Sequence, residues 1–415
     1  METFYFYKLG TDLLFSSYKY DELTLITEDE VKNSNDILYF LNKIEPLNSR
    51  RGFRVSSPSQ LFLSEESIKL LEISNIDYSI PKWLEEKISK GLVKSINTNY
   101  PNWRDELIAL SKKWRLNLIA LGDVGSTLLI GLRLLGGKNI QSIGIHDRNI
   151  NRLKRWEYEL NQIRRPFDEQ SFPKVEPVNE DKLFDCDIFV FCASKGIPPV
   201  DTDVKDVRMA QFESNSEIMS QYVKLARTAN FKGIFAVVSD PVDLLCKVAF
   251  LESNKDSKGD LDFKGLAANQ IIGYGLGVMN GRATFYAEQR DDTIQYLTEG
   301  RVFGPHGEGL IVADSIENYN EELSNYLTDK TINANKEIRA LGFKPFVAPS
   351  LSSGALSILA TINGDYFYGS TYMGDIYMGS KCRLTSSGLE VEQLKLPEGL
   401  KKKLEETHQR LANII

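Results

Sequence analysis

Apolar and polar positions alternate along the chain in a way that separates two regions. From residue 116 onward, short continuous apolar runs at 116–121, 140–145, 186–192 and 233–238 are too brief for buried helices and read as strands buried on both faces. Between them lie longer stretches with apolar residues at helical spacing, at 126–135, at 150–163 (Leu153, Trp156, Leu160) and from Arg208 through Asn215 to 229. Strand and helix alternate, which predicts a doubly wound parallel sheet. Residues 1–110 show another rhythm. Short β-prone runs at 4–7, 13–15 and 23–26 precede Thr27-Glu28-Asp29-Glu30, an N-cap with acids in the first turn that predicts a helix to about residue 42. Further helices are expected near 64–66, at 81–90 and from 102 up to the first apolar run. The arginines of 50–54 (RRGFR) read as a solvated loop in preference to an anion site. A polar stretch at 252–264 precedes the C-terminal part, where a strand-rich segment at 366–383 and an amphipathic helix at 397–414 are expected. The predicted organisation is an N-terminal α+β extension (1–110), a nucleotide-binding domain (111–267) and a substrate domain (268–415).

The unit at 116–147 carries the first chemical signal. A strand turns through Gly122-Asp123-Val124-Gly125 directly into a helix, and the next strand ends on Asp147. Gly122 would let backbone approach a pyrophosphate, Gly125 would let helix pack on strand, and the helix N-terminus would offer free N–H groups to the anion. Asp147 would accept hydrogen bonds from a ribose diol, the arrangement of an NAD site. Ala120 stands where the first glycine of G-x-G-x-x-G would be. Ligands of such sheets lie at the carboxyl ends of the strands, where Ser194, Ser239 and Asp240 also fall.

Bulk properties narrow the partners. Fifty-seven acidic against fifty basic residues give a net charge of −7, which argues against nucleic acid and anionic membranes. Four cysteines in apolar surroundings without metal-ligand spacing suit reduced core residues and a cytoplasmic setting, with no metal expected. No apolar run approaches the length of a membrane span.

From about residue 116 to the end, the chain resembles the lactate/malate dehydrogenase family of 2-hydroxy acid dehydrogenases. Eight short segments match in the family's order: IALGDVGST, HDRNINRLKRWEYEL, DIFVFCASKGIPP, DVRMAQFESNSEIM, VVSDPVDLL, GVMNGRATF, VFGPHGEG and IYMGSKCRLTSSGLE. The resemblance implies an α/β fold with a Rossmann-type sheet followed by an α+β catalytic domain. It implies that His306 is the acid/base, a role suited to an imidazole. Arg282 would grip the substrate carboxylate and Arg208 would polarise the reacting carbonyl. Asn215 and Ser353 join the expected substrate contacts. Gly122, Asp123, Val124, Gly125, Asp147, Ser194 and Ser239 would hold NAD. A homodimer or homotetramer is implied.

The departures are specific. The loop position that carries a specificity residue in the family falls within Gly196-Ile197-Pro198-Pro199-Val200, which has no equivalent. The family's N-P-V-D reads Asp240-Pro241-Val242-Asp243, and its histidine-orienting aspartate aligns with Asn280, one residue being missing before Arg282. Acid and amide are thus exchanged, with both residues expected at the catalytic centre. Three readings follow: an NAD-dependent oxidoreductase on a small carboxylate-bearing 2-hydroxy/2-keto or 2-imino compound; a catalytically impaired NAD-binding sensor or scaffold; or an oxidoreductase on a peptide- or carrier-bound substrate delivered by residues 1–110, which are also the expected site for a protein or peptide partner.

Overall fold

The computed structural model describes residues 3–74, 76, 78–110, 113–195 and 207–415, the side chains of 207–210 excepted. The N-terminal region contains β1 (Tyr5–Leu9), β2 (Asp12–Ser16), β3 (Thr24–Leu25), α1 (Glu28–Lys32), β4 (Leu38–Asn42), β5 (Gly52–Arg54), α2 (Lys82–Ser89) and β6 (Val93–Asn97). They form a mixed six-stranded sheet in the order β3-β1-β2-β4-β6-β5. The helix expected to reach residue 42 stops at Lys32. Leu38–Asn42 is instead a strand lying parallel to both β2 and β6, with all five residues buried. Its run LYFLN reads equally as buried helix or buried strand, and sheet partners decide the matter. The helices expected near 64–66 and from 102 are only 3-10 turns, Ile68–Leu71 and Trp103–Leu107.

Residues 50–54 are not a solvated loop. Arg50 and Arg51 are each 2% exposed. Arg50 pairs with Glu66 at 2.9 Å, Arg51 with Glu106 at 2.9 Å and Arg54 with Glu390 at 3.1 Å. Burial works against the charged form of Glu106, but Lys94 and Arg51 outweigh it and hold the carboxyl well below the usual range.

The rest of the chain runs β7 (Trp114–Ile119), α3 (Asp123–Leu135), β8 (Ile140–His146), α4 (Ile150–Gln162), β9 (Lys174–Pro177), β10 (Ile188–Phe191), α5 (Val207–Thr228), β11 (Ile234–Val237), α6 (Val242–Ser253) and β12 (Ile271–Gly273). It continues through α7 (Leu276–Ala287), α8 (Tyr296–Glu299), β13 (Arg301–Phe303), β14 (Ile311–Ala313) and α9 (Glu321–Ala340). A π-helical segment (Pro349–Leu356), α10 (Ser357–Asn363), β15 (Phe367–Tyr372), β16 (Tyr377–Thr385), β17 (Gly388–Val391) and α11 (Glu398–Ala412) complete it. The nine-stranded sheet has the order β17-β16-β15-β12-β11-β10-β7-β8-β9. Its six strands from β12 to β9 are mutually parallel, and β15 joins β12 in antiparallel register. Chain order reverses between β7 and β10, which opens a crevice at their carboxyl ends. The strands carry the largest apolar core, from Leu116 and Leu118 through Ile188 and Val190 to Ala236 and Ile272.

The N-terminal sheet docks at the opposite edge. Arg51 Nη2 donates to Gln270 Oε1 at 3.2 Å and the Gly52 N–H to Asn269 Oδ1 at 3.3 Å, both acceptors lying just before β12. The Tyr372 hydroxyl donates to the Leu47 carbonyl. This region therefore closes the amino-terminal edge of the parallel strands.

Ala120, between β7 and α3, has φ +65°. Side chains resist this left-handed conformation by about 1–2 kcal/mol, whereas glycine adopts it freely. Ala120→Gly is therefore expected to stabilise the protein by about 0.5–1 kcal/mol once the extra unfolded-state entropy of glycine is subtracted. Urea unfolding checks this, and a loss of stability contradicts it.

Candidate functional site

The turn after β7 has the properties expected of a cofactor cradle. Gly122 caps α3, and a Cβ placed on it meets nothing within 4 Å, so a ligand can approach the backbone there. A Cβ on Gly125 would sit 2.1 Å from the Ala120 carbonyl oxygen, so only glycine permits this approach of helix to strand end. The first-turn N–H groups at Asp123, Val124 and Gly125 have no acceptor within the helix by construction. Lys344 pairs with Asp123 at 3.3 Å. At the end of β8, Asp147 accepts the Leu121 N–H at 2.8 Å, the Asn149 N–H at 2.8 Å and Arg152 Nη1 at 3.3 Å. A carboxylate has about four acceptor positions, so these three bonds leave one, on a side chain that is 5% exposed. They also lock the turn to the second strand. Ser239 Oγ donates to the Ala193 carbonyl at 2.7 Å, tying the ends of β10 and β11 together, and Ser194 lies exposed beside this junction.

A cavity of about 440 Å³ brings Asp240, Arg282 and His306 together. Its lining comes from α5, from the turn after β11 and the start of α6, from α7, from the turn after β13, from α9 and from α11. The imidazole Nδ1 of His306 lies 2.9 Å from Asp240 Oδ1. An ionised carboxylate only accepts, so Nδ1–H is the donor and the neutral ring has Nε2 free to accept or, when protonated, to give a proton. The His306 N–H donates to Asp243 Oδ2 at 3.3 Å, and the Ser370 hydroxyl to Asp243 Oδ1 at 2.6 Å. Asp243 thereby anchors the backbone of the histidine turn. Burial of the Arg282 guanidinium lowers its pKa, and the nearby charge of Asp240 opposes the shift. Arg282 Nη2 donates to Asn335 Oδ1 at 2.5 Å.

The structure answers the exchange of acid and amide. The Tyr296 hydroxyl donates to Asn280 Oδ1 at 2.8 Å, so this amide is committed to α8 and does not reach the imidazole. Because α7 is an unbroken helix, the residue three before Arg282 is Met279, and Met279 is the one on the cavity wall. The carboxylate that meets the imidazole is that of Asp240.

Other expected contacts are likewise engaged elsewhere. Asn215 is fully buried; its Nδ2 donates to the Asp240 carbonyl at 2.8 Å and its Oδ1 accepts the Lys195 N–H at 3.1 Å. It positions Asp240 from behind. Ser353 is buried, accepting the Val278 N–H at 2.8 Å and donating to the Gly275 carbonyl at 2.6 Å, which fixes the start of α7. Arg208 lies in α5, but its side chain is outside the described residues, as is the loop at 196–206. Sequence reasoning did not single out Asp243, although the second acid of D-P-V-D was visible. It also left out Met279, which is legible from i, i+3 spacing to Arg282, and Gln211, Glu308, Asn335 and Arg410, for which no local pattern exists.

Asp243 brings a pH dependence. Burial pushes its carboxyl up to about 6, against the pull of the Ser370 and His306 hydrogen bonds. The folded protein therefore holds this proton more tightly than the unfolded chain, and the stability Asp243 contributes is full below about pH 4 and lost as pH rises through about 6. At 1.4 kcal/mol per unit the difference is about 2–3 kcal/mol. Compared with Asp243→Asn, the wild type should gain stability between pH 7.5 and 5 in parallel urea titrations; parallel curves would contradict the assignment.

No model of a known protein family matches the chain. Among curated proteins it is 24% identical over 305 residues to an L-lactate dehydrogenase of Borrelia turicatae, spanning 67% of this chain and 90% of that one. It is 25% identical over 197 residues to an L-lactate dehydrogenase of Staphylococcus haemolyticus, 48% of this chain and 56% of that one. Among solved structures, the minor L-lactate dehydrogenase of Enterococcus mundtii superposes with a TM-score of 0.59 at 19% identity, covering 73% of this chain and 98% of that one. The malate dehydrogenase of Aeropyrum pernix gives 0.58 at 17%, covering 72% and 96%. These matches bear out the resemblance and the fold read from the motifs.

Proposed function

We propose that this chain, a divergent relative of the lactate and malate dehydrogenases, is an NAD-dependent oxidoreductase interconverting small 2-hydroxy and 2-keto acids. The observation that carries this reading is the His306–Asp240 pair opening into a cavity shared with Arg282. In reduction, His306 Nε2 gives its proton to the substrate oxygen as that oxygen gains charge; in oxidation it takes the proton back. Asp240 holds the imidazole orientation and balances the imidazolium. Arg282 binds the carboxylate beside the reacting carbon with its planar fork, setting which face is presented. Gly122, Asp123, Val124 and Gly125 would hold the pyrophosphate, Asp147 the adenine-side ribose, and Ser194 and Ser239 would border the nicotinamide. NAD, when bound, supplies or accepts the hydride. Arg208 would polarise the carbonyl from α5.

The pairing of Asp240 with His306 favours a keto over an imino substrate, because the carboxylate is engaged with the acid/base rather than held for a cationic nitrogen. An intact His–Asp pair beside a cavity arginine supports an enzyme over a sensor or scaffold. Delivery of a bound substrate by residues 1–110 is disfavoured, since that region docks on the opposite edge of the sheet. We retain the three-part organisation 1–110, 111–267 and 268–415. Exposed apolar side chains at Leu135, Leu341 and Phe343 (60%, 71% and 70%) support a homodimer or homotetramer, and four free cysteines suit a cytoplasmic protein.

Reduction of 2-keto acids followed by NADH oxidation tests the function. Titration of NADH and NADPH by fluorescence tests the cofactor: Asp147 should favour NADH, and equal or tighter NADPH binding removes it from the ribose role.

A further inference from the structure

At the position where the resemblance expects a specificity residue, Gly196-Ile197-Pro198-Pro199-Val200 offers no charged or amide side chain, which leaves specificity to another source. The cavity provides one. Its wall is completed by the last helix, α11, through Arg410 and Leu411. Arg410 Nη2 lies 3.1 Å from Glu308 Oε1, and Glu308 follows His306 by two residues. Both side chains are well exposed, at 46% and 73%. An ion pair of this kind contributes little in water, so a better-placed anion can displace the glutamate. The same cavity is also lined by the apolar side chains of Leu244, Ile332 and Leu411.

We propose that Arg410 is the specificity residue and that the substrate is a 2-keto or 2-hydroxy acid with an apolar stem ending in a second anionic group. This rests on the reading of the site as a 2-keto acid oxidoreductase. Arg282 takes the carboxylate next to the reacting carbon, and Arg410, arriving from a separate helix, takes the distal one. Glu308 holds Arg410 in place while the cavity is empty and rejects anions too short to engage the guanidinium. Discrimination then comes from the contact with Arg410 that a monocarboxylate cannot make, its apolar end leaving the Arg410–Glu308 pair in place.

The test compares kcat/KM for straight-chain 2-keto acids of four, five and six carbons, each in matched forms ending in methyl or in carboxylate. At one length or more, the dicarboxylate should be favoured at least tenfold. Arg410→Gln should erase that preference while leaving the matched monocarboxylate within about twofold. Glu308→Gln should lower KM for the dicarboxylate. Arg410 is exposed, so the variant should fold; unchanged NADH affinity verifies this. Equal or better turnover of monocarboxylates by the wild type overturns the proposal, as does an equal fall for both forms in Arg410→Gln. If NADH binds and no 2-keto acid of either form is reduced, the oxidoreductase reading itself fails, and this inference with it.

Discussion

Asp240→Asn is expected to lower kcat by about 1,000-fold to 10,000-fold while NADH affinity stays within a few-fold. The amide nearly preserves the shape of the carboxylate, so the fold and the contact from Asn215 to the residue 240 carbonyl survive. What disappears is the charge 2.9 Å from Nδ1. An asparagine can also present its NH₂ to the ring, which selects the tautomer with its proton on Nε2 and removes the base facing the substrate; loss of the carboxylate in related His–Asp constellations costs on this scale. Stopped-flow NADH oxidation with saturating substrate measures it. A fall of less than tenfold would show that the charge at Asp240 is not used in turnover. An increase in keto acid reduction would restore the idea that Asp240 faces a cationic substrate nitrogen.

Arg282→Leu should weaken an anionic inhibitor such as oxamate by about 2–5 kcal/mol, or roughly 30-fold to several thousand-fold, the scale of truncating one partner of a desolvated charge pair. The guanidinium is partly buried between Asp240 and Asn335, a setting in which a carboxylate is less screened than at the surface. Arg282→Lys should recover only part of the loss, because a point charge replaces a fork. Calorimetry with NADH present throughout separates the effect from cofactor binding. Unchanged oxamate affinity in Arg282→Leu would move the carboxylate site elsewhere in the cavity, with Arg410 the next cation to test.

Where the chain's own periodicity speaks, sequence reasoning reaches far. β7, α3, β8, α4, β10 and β11 fall within a few residues of their apolar runs, because strands buried on both faces leave continuous hydrophobic stretches and the helices between them a stripe. The glycine turn was legible for the same reason, being a local steric requirement. Even the conspicuous Ala120 proves to occupy a glycine-like backbone conformation.

The N-terminal region was read less well. Leu38–Asn42 lies between β2 and β6, and its state depends on partners far away in sequence. The basic run at 50–54 looks solvated in isolation because charge is costly to bury. Glu66, Glu106 and Glu390 reverse that cost from 16, 55 and 336 residues away, as the residue numbers show.

The candidate site divides along the same line. By itself the sequence determined the sheet and the glycine turn, whose requirements are local, and its resemblance to the lactate/malate dehydrogenases supplied the candidates His306, Arg282 and Asp240. Only the tertiary structure decided which carboxylate meets the imidazole, that Asn280 turns to Tyr296, that Asn215 and Ser353 brace the site from behind, and that α11 brings Arg410 to its wall. These are pairings across 16 to 78 residues and more, set by how helices pack on the sheet rather than by any spacing along the chain. An imidazole's partner is fixed by a distance of about 3 Å, and no one-dimensional pattern encodes that distance.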